Sequence, residues 1–165
     1  MPTLRSLRPP FLLVPVALVA LTSVALADWV PTTRPGEELP KAKELGTAQV
    51  VCDGQDTLAL ADQTLETEGL AILADGNCVL DLTNVDVTSR DSFALVVKGK
   101  AKVTIRDSSL EGGLGAVGMD GTAVIDAQRS EFWGGFVRSG DGSSFVEDGS
   151  NGFWQAPLEE LLIDG

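Results

Sequence analysis

"DGNCVLDLTNVDV" spans residues 75–87, and its pattern occurs five times along the chain. Each copy begins with Asp-Gly or Lys-Gly and continues with alternating apolar and polar residues. The glycines of successive copies lie 22, 23, 22 and 21 residues apart. Self-similarity at this period predicts a solenoid, whose units bury their apolar sides only against one another. The other copies are DGQDTLALADQTL (53–65), KGKAKVTIRDSSL (98–110), DGTAVIDAQRSEF (120–132) and a degraded DGSSFVEDGSNGF (141–153).

Apolar residues recur in register with these glycines and predict the inward columns of the solenoid. The alternation is typical of strands, and the Gly, Asp and Asn residues between runs are typical of turns. Each unit therefore predicts three short strands. The columns are Leu58, Leu80, Val103, Ile125 and Val146; Leu60, Leu82, Ile105 and Ala127; Leu65, Val87, Leu110, Phe132 and Phe153; and Val50, Ile72, Leu95 and Val117.

Three strands per turn and a coil of 21 to 23 residues resemble the right-handed parallel β-helix of the pectate-lyase-like superfold. The resemblance covers residues 49–154 and concerns architecture alone, since no family-specific catalytic motif accompanies it. It implies an all-β solenoid of about five coils. It also implies a ladder of Asn-like residues at one corner.

A polar column matches that corner, between the second and third runs of each copy. Asn and Asp tolerate the left-handed backbone of a tight corner, and their side chains bond nearby backbone groups. We interpret the column as turn chemistry, with a cation site as the alternative. Its members are Asp62, Asn84, Asp107 and Arg129.

The two ends of the chain differ from the repeats. Residues 1–27 have a basic start, an apolar run and the cleavage pattern Ala25-Leu26-Ala27, and they predict a secretory signal peptide. The mature chain is expected in the periplasm, at the cell surface or outside the cell. Open solenoid ends need caps, and we assign 28–48 to a leader and N-terminal cap and 155–165 to a C-terminal cap. End-to-end self-association is the alternative way to cover an end.

Charge and composition exclude several classes of function. Without residues 1–27 the chain keeps 24 acidic and 10 basic residues. This balance argues against nucleic acid and against anionic membrane surfaces as partners. The chain has no His and no Tyr, which excludes histidine bases, histidine metal ligands and a Ser-His-Asp triad. No cofactor is expected.

The two cysteines test the predicted register. Cys52 and Cys78 both fall on inward positions, one coil apart and near the same corner. That placement is within disulfide reach, and an exported chain matures where disulfides form. We predict the bond Cys52–Cys78, with two reduced core cysteines as the alternative.

Acidic residues offer two candidate sites. Asp53 and Asp75 precede glycines of adjacent coils and suit Ca²⁺, but Asp-Gly is also a common turn dipeptide, which we favour. Asp81 and Asp126 lie on outward positions two coils apart, near the separation of an inverting glycosidase. With Arg106 they form the alternative catalytic set, to which Asp86, Arg129 and Glu131 are further candidates. Outward strand positions are polar by default, and enzymes of the resembled superfold have longer loops, so we lean against catalysis.

Trp133 and Trp154 are 21 residues apart and level in successive coils. Outward tryptophans provide a platform for sugar rings. A C-terminal segment carrying Leu158, Leu161 and Leu162 would instead cover them, and we favour this second interpretation.

The sequence predicts an exported, non-catalytic module that is structural or binds a polysaccharide or an envelope protein. A small polysaccharide lyase or glycoside hydrolase is the alternative.

Overall fold

The computed structural model describes residues 46–139 and 142–154, which form thirteen β-strands and no helix. All of the pairings between these strands are parallel. No helix of the described residues could cross a membrane. The strands are β1 Val50–Cys52, β2 Thr57–Thr67, β3 Ile72–Ala74, β4 Val79–Ser89, β5 Phe93–Val97, β6 Lys102–Arg106, β7 Ser109–Gly112, β8 Gly115–Asp120, β9 Val124–Gln128, β10 Glu131–Trp133, β11 Phe136–Ser139, β12 Ser144–Glu147 and β13 Gly152–Trp154.

The strands stack as a parallel β-solenoid of five coils, which confirms the predicted fold class. A five-stranded sheet has the order β1-β3-β5-β8-β11, and an eight-stranded sheet has the order β12-β9-β6-β4-β7-β10-β13, with β2 on β4. The three predicted runs of a coil thus form two sheets rather than three. The second and third runs share one sheet because β2 and β4 continue through the corner. The right hand that the resemblance implies stays a prediction.

Interior columns follow the predicted register with one exception. Leu65, Val87, Leu110, Phe132 and Phe153 are level throughout. The assignment of Val146 to the interior was wrong: Phe145 pairs with Ile125 and is buried, whereas Val146 pairs with Asp126 and is 47% exposed. Phe145 follows Ile125 by only 20 residues, so the last coil is shorter than the glycine spacing suggested, and a one-residue shift turns a side chain to the opposite face.

The recurring glycines are required for two separate reasons. Gly54, Gly76, Gly99 and Gly121 all have φ between +62° and +72°, a conformation that L side chains rarely adopt. A Cβ on Gly121 would also stand 2.7 Å from the carbonyl oxygen of Gly99, one coil below. At Gly54, which begins the stack, a Cβ would meet nothing within 4 Å. The glycine column therefore combines a tight turn with a close backbone approach.

The polar corner column has the predicted backbone but different side-chain partners. Asp62, Asn84, Asp107 and Arg129 have φ between +49° and +54°, as the left-handed corner requires. Their side chains bond one another across coils, rather than nearby backbone as expected. Asn84 Nδ2 donates to Asp62 Oδ1 at 2.7 Å, and Arg129 donates twice to Asp107, at 2.6 and 2.7 Å.

A buried ladder lies one residue after this corner and was not predicted. Ser108 Oγ accepts the amide of Val85 at 3.1 Å, and Ser130 Oγ accepts the amide of Ser108 at 3.2 Å. Asn151 Oδ1 continues the series by accepting the amide of Ser130 at 2.9 Å. The ladder satisfies backbone donors that the bend removes from the sheet pairing, since buried amides need partners.

The disulfide Cys52–Cys78 is present, with the Cα atoms 5.8 Å apart. Both cysteines are fully buried. The bond joins the first coil to the second and closes a sequence separation of 26 residues. It stabilises the end of the solenoid where only one neighbouring coil supplies hydrogen bonds.

Aromatic side chains fill the interior of the last described coil. Phe132, Phe136, Phe145 and Phe153 form ring pairs with centroids 5.1 to 5.8 Å apart. Such pairs contribute beyond the burial of their area. The predicted signal peptide 1–27, residues 28–45 of the predicted leader and N-terminal cap, and the predicted C-terminal cap 155–165 lie outside the described residues.

The two roles of the glycine column can be separated by a matched pair of substitutions. Gly54→Ala places a methyl group in open space and should lower the free energy of unfolding by about 1 kcal/mol, the cost of a positive φ. Gly121→Ala adds the contact with the Gly99 carbonyl and should lower it by about 3 kcal/mol. Urea unfolding followed by circular dichroism measures both. Equal losses would mean that the coils do not approach as closely as described.

Candidate functional site

The outward side of the third run in each coil presents two columns of polar and aromatic residues, which we call the oxygen-rich face. These residues alternate with the buried Leu65, Val87, Leu110 and Phe132, so their side chains point away from the core. One column is Thr64, Asp86, Ser109, Glu131 and Gly152; the other is Glu66, Thr88, Glu111, Trp133 and Trp154.

Carboxylates on this face alternate with hydroxyl groups. Asp86 and Glu131 are separated by Ser109, and Glu66 and Glu111 are separated by Thr88. Like charges directly opposite in neighbouring strands destabilise a sheet. Spacing the carboxylates by two coils, roughly 10 Å, allows four of them to share one face.

The tryptophan pair closes the second column and forms a tight stack. The ring centroids of Trp133 and Trp154 are 3.8 Å apart and the planes differ by 6°. Trp133 Nε1 donates to Glu131 Oε2 at 3.4 Å. A Cβ on Gly152 would lie 2.3 Å from Trp154 Cη2, so the indole of Trp154 lies over a position that has to lack a side chain. Both tryptophans are half-buried.

The register predicted for this pair is confirmed, but the two indoles do not form one flat platform. Each ring places one face against the other ring. The six-membered ring of Trp154 also lies over Gly152. Residues 156–165, which we expected to cover the pair, lie outside the described residues, so that expectation stays a prediction.

A shallow groove of about 300 Å³ lies beside the tryptophan pair. Asp86, Ser109 and Glu131 form its floor on the oxygen-rich face, and the corner pair Asp107–Arg129 lies along its side. Ser108 of the buried ladder also lines the groove. The groove therefore runs across three coils and ends at Glu131, which contacts Trp133.

Hydrogen bonding at the groove wall shifts two pKa values. The bidentate hydrogen bond from Arg129 lowers the pKa of Asp107 below its usual value and raises that of Arg129. Nearby, the hydrogen bond from the Ser150 hydroxyl lowers the pKa of Asp148. Asp107 is therefore anionic across the physiological range, and the positive charge of Arg129 is held by it.

The predicted catalytic set lies on a different part of the eight-stranded sheet. Asp81 and Asp126 are level with Thr104 between them, as the predicted register required. Arg106 Nη1 lies 3.6 Å from Asp81 Oδ2, and Thr83 donates to Asp81 at 2.9 Å. Arg106 and Asp81 of the predicted set therefore contact each other. None of Asp81, Arg106 and Asp126 lines the groove beside the tryptophan pair.

Asp53 and Asp75, the alternative Ca²⁺ ligands, lie at the glycine turns. Asp75 Oδ1 accepts the amide of Gly76 at 2.6 Å, and Asp120 does the same for Gly121 at 2.7 Å. Across 46–139 and 142–154, no three acidic or cysteine side chains are grouped so that they could hold a metal ion. Turn chemistry is what the described contacts of this column support.

The groove itself was missed as a unit, although Asp86, Arg129 and Glu131 were among the candidate residues. Its signal was available: Asp86, Ser109 and Glu131 are 23 and 22 residues apart, and so fall in one outward column. The pairing of Asp107 with Arg129 follows the same spacing.

No protein family, curated protein or solved structure matches this chain.

The Asp107–Arg129 pair gives a pH-dependent prediction. Because folding lowers the pKa of Asp107, the stability from this pair is present at neutral pH and is lost as the pH falls through the lowered pKa. Arg129→Gln should raise the pKa of Asp107 toward its usual value, as measured by the carboxyl ¹³C shift during an NMR titration. Arg90→Gln is the matched control, because it removes the separate exposed ion pair with Glu68 and should leave the pKa of Asp107 lowered. An ordinary pKa for Asp107 in the unchanged protein would contradict the pairing.

Proposed function

We propose that this chain is an exported, non-catalytic β-helix module that binds a polysaccharide at the cell envelope. The observation that carries the proposal is the contact between the stacked Trp133 and Trp154 and the head of the polar groove, at Glu131. Sugar rings have apolar faces that pack on aromatic rings and hydroxyl groups that hydrogen-bond to carboxylates and serines. An aromatic side chain next to convergent polar groups is the usual composition of such a site.

The charge of the site restricts the class of polysaccharide. Asp86 and Glu131 are carboxylates, and the arginine of the groove is paired with Asp107. In a second depression on the same face, of about 240 Å³, Arg90 is likewise paired with Glu68, at 3.2 Å. A polymer of uronic acids would bring further negative charge to this face and be repelled. An uncharged polymer or one bearing amino groups is the better match.

The solenoid geometry favours an extended chain as the ligand. Outward positions repeat with the strand spacing, about 4.8 Å, along the axis of the coils. The groove follows this axis across three coils, from Asp86 through Ser109 to Glu131. A linear polymer lying along the axis would meet a carboxylate, a hydroxyl, a carboxylate and then an indole in sequence.

Two features support export. Residues 1–27 have the composition of a signal peptide, and the buried disulfide Cys52–Cys78 is consistent with an oxidising compartment. Function at the envelope follows from export together with affinity for a polymer that is found there.

A glycan array with the secreted chain, followed by calorimetry on oligosaccharides that bind, tests the proposal. We expect binding to uncharged or amino-bearing oligosaccharides without release of reducing ends or unsaturated products. Trp133→Ala should weaken binding about tenfold, the loss of one aromatic contact of about 1.4 kcal/mol. Val146→Ala, an exposed apolar residue on another column, is the matched control and should leave affinity unchanged.

Three outcomes would contradict the proposal. Binding restricted to polyuronates would reverse the charge argument, and affinity unaffected by Trp133→Ala would place the site elsewhere. Turnover abolished by Asp81→Asn or Asp126→Asn would make the chain a carbohydrate-active enzyme. Urea unfolding of Trp133→Ala separates loss of a ligand contact from loss of stability, since a surface change should cost at most about 1 kcal/mol and removal of a covered indole about 3 kcal/mol or more.

A further inference from the structure

The outer side of the five-stranded sheet is apolar and is largely buried beyond its first strand, although it faces away from the core. Val51 of β1, which is level with Leu73, is 48% exposed. Leu95 and Val97 of β5 point into the solenoid, and Val96 between them belongs to a separate cluster. Val96 is 0% exposed, and Val137, two coils away from Val96 on the same outward column, is 4% exposed. We call this surface the outer apolar face. Its members are Leu70, Leu73, Phe93, Val96 and Val137.

A strand with one side in solvent alternates between apolar and polar residues, and β5 does not. Its sequence is FALVV, and all five residues are buried. Continuous apolar runs are typical of parallel strands that are covered on both sides. The outward residues of the eight-stranded sheet, in contrast, are mostly polar, as at Asp81, Thr104 and Asp126. The two sheets are therefore built for different surroundings.

The described strands do not supply this cover. All thirteen of them belong to the two sheets of the solenoid, and the inner sides of those sheets share the core cluster. At the middle of the outer apolar face, Gly118 stands level with Val96 and Val137. Since Gly118 has no side chain, the column has a gap in its side chains between the two valines, and we call this gap the recess.

The chain arrives at this face before it enters the first coil. Ala48 packs against the outer apolar cluster, and the amide of Gln49 donates to the carbonyl of Leu70 at 3.1 Å. Val50 then begins β1 at the edge of the same sheet. The described chain thus begins beside the outer apolar face, whereas it ends at Trp154, in the other sheet.

We propose that residues 28–45 dock on the outer apolar face, with Trp29 in the recess at Gly118. The face is five strands wide, about 19 Å at the parallel spacing, and the sixteen residues between Trp29 and Gly46 reach further than that in any extended form. Trp29 is the aromatic residue of this segment, which also carries Val30, Leu39 and Leu45. The segment serves as an intramolecular cover for one sheet rather than as a cap over the open end.

A protein with Trp29 as its single tryptophan tests the docking directly. In the secreted Trp133→Phe, Trp154→Phe chain, we expect blue-shifted emission and acrylamide quenching several-fold weaker than for free N-acetyltryptophanamide. Gly118→Leu in that background should fill the recess and raise the quenching, with the β-sheet circular dichroism unchanged. Val146→Leu, on the other sheet, is the control and should leave the quenching of Trp29 unchanged.

A second measurement does not depend on Gly118→Leu being folded. Trp29→Ala in the otherwise unchanged chain should increase the fluorescence of added anilinonaphthalene sulfonate, because the outer apolar face becomes accessible, and Trp133→Ala should increase it much less. Acrylamide quenching of Trp29 in the folded protein that is as strong as for free N-acetyltryptophanamide would overturn the proposal. In that case, sedimentation would tell whether a second copy covers the face. Protection of Trp29 that persists in a folded Gly118→Leu chain would also overturn the assigned position.

Discussion

Each residue of the solenoid lies level with its equivalent one coil away, and this stacking constrains every column of side chains. Parallel hydrogen bonds hold successive coils at the strand spacing, about 4.8 Å. A position therefore has to be compatible with copies of itself above and below. Interior columns meet the condition with aliphatic and aromatic residues, as from Leu65 to Phe153. The glycine column meets it by having no side chain where Gly121 approaches the Gly99 carbonyl.

The arrangement of charged side chains on the surface follows the same constraint. Asp107 and Arg129 are level and form an ion pair, and carboxylates on the oxygen-rich face alternate with hydroxyl groups along each column. The stacked tryptophans also satisfy this constraint, because their level positions in successive coils bring the two parallel rings into contact, with the centroids 3.8 Å apart. The candidate glycan site is thus a product of the repeat: a groove along the axis, with two carboxylates, a serine and an indole at regular intervals.

Much of this could be predicted from the repeat spacing, because level stacking converts sequence distance into contact. The disulfide Cys52–Cys78, the left-handed corner at Asn84 and the level pair Trp133–Trp154 all followed from it. The prediction that Val146 lies in the interior was wrong because the last coil is shortened, and the repeat period does not indicate where a coil loses a residue. The serine ladder at Ser108 was missed because a small hydroxyl residue after a turn looks like any surface serine. The side-chain partners at the corner depend on rotamers, which spacing does not determine.

The most direct measurement of level stacking is a ¹³C- and ¹⁵N-edited NOESY spectrum of the folded protein. Parallel coils in the described register predict interstrand backbone cross-peaks that join Leu60 to Leu82, Leu82 to Ile105 and Ile105 to Ala127. In the last coil they predict the cross-peaks of directly paired residues between Phe145 and Ile125. Val146 should show to Ile125 only the weaker cross-peaks of a diagonal neighbour. Antiparallel cross-peaks between consecutive runs of one copy, in place of these contacts at intervals of one coil, would contradict the solenoid and everything derived from it.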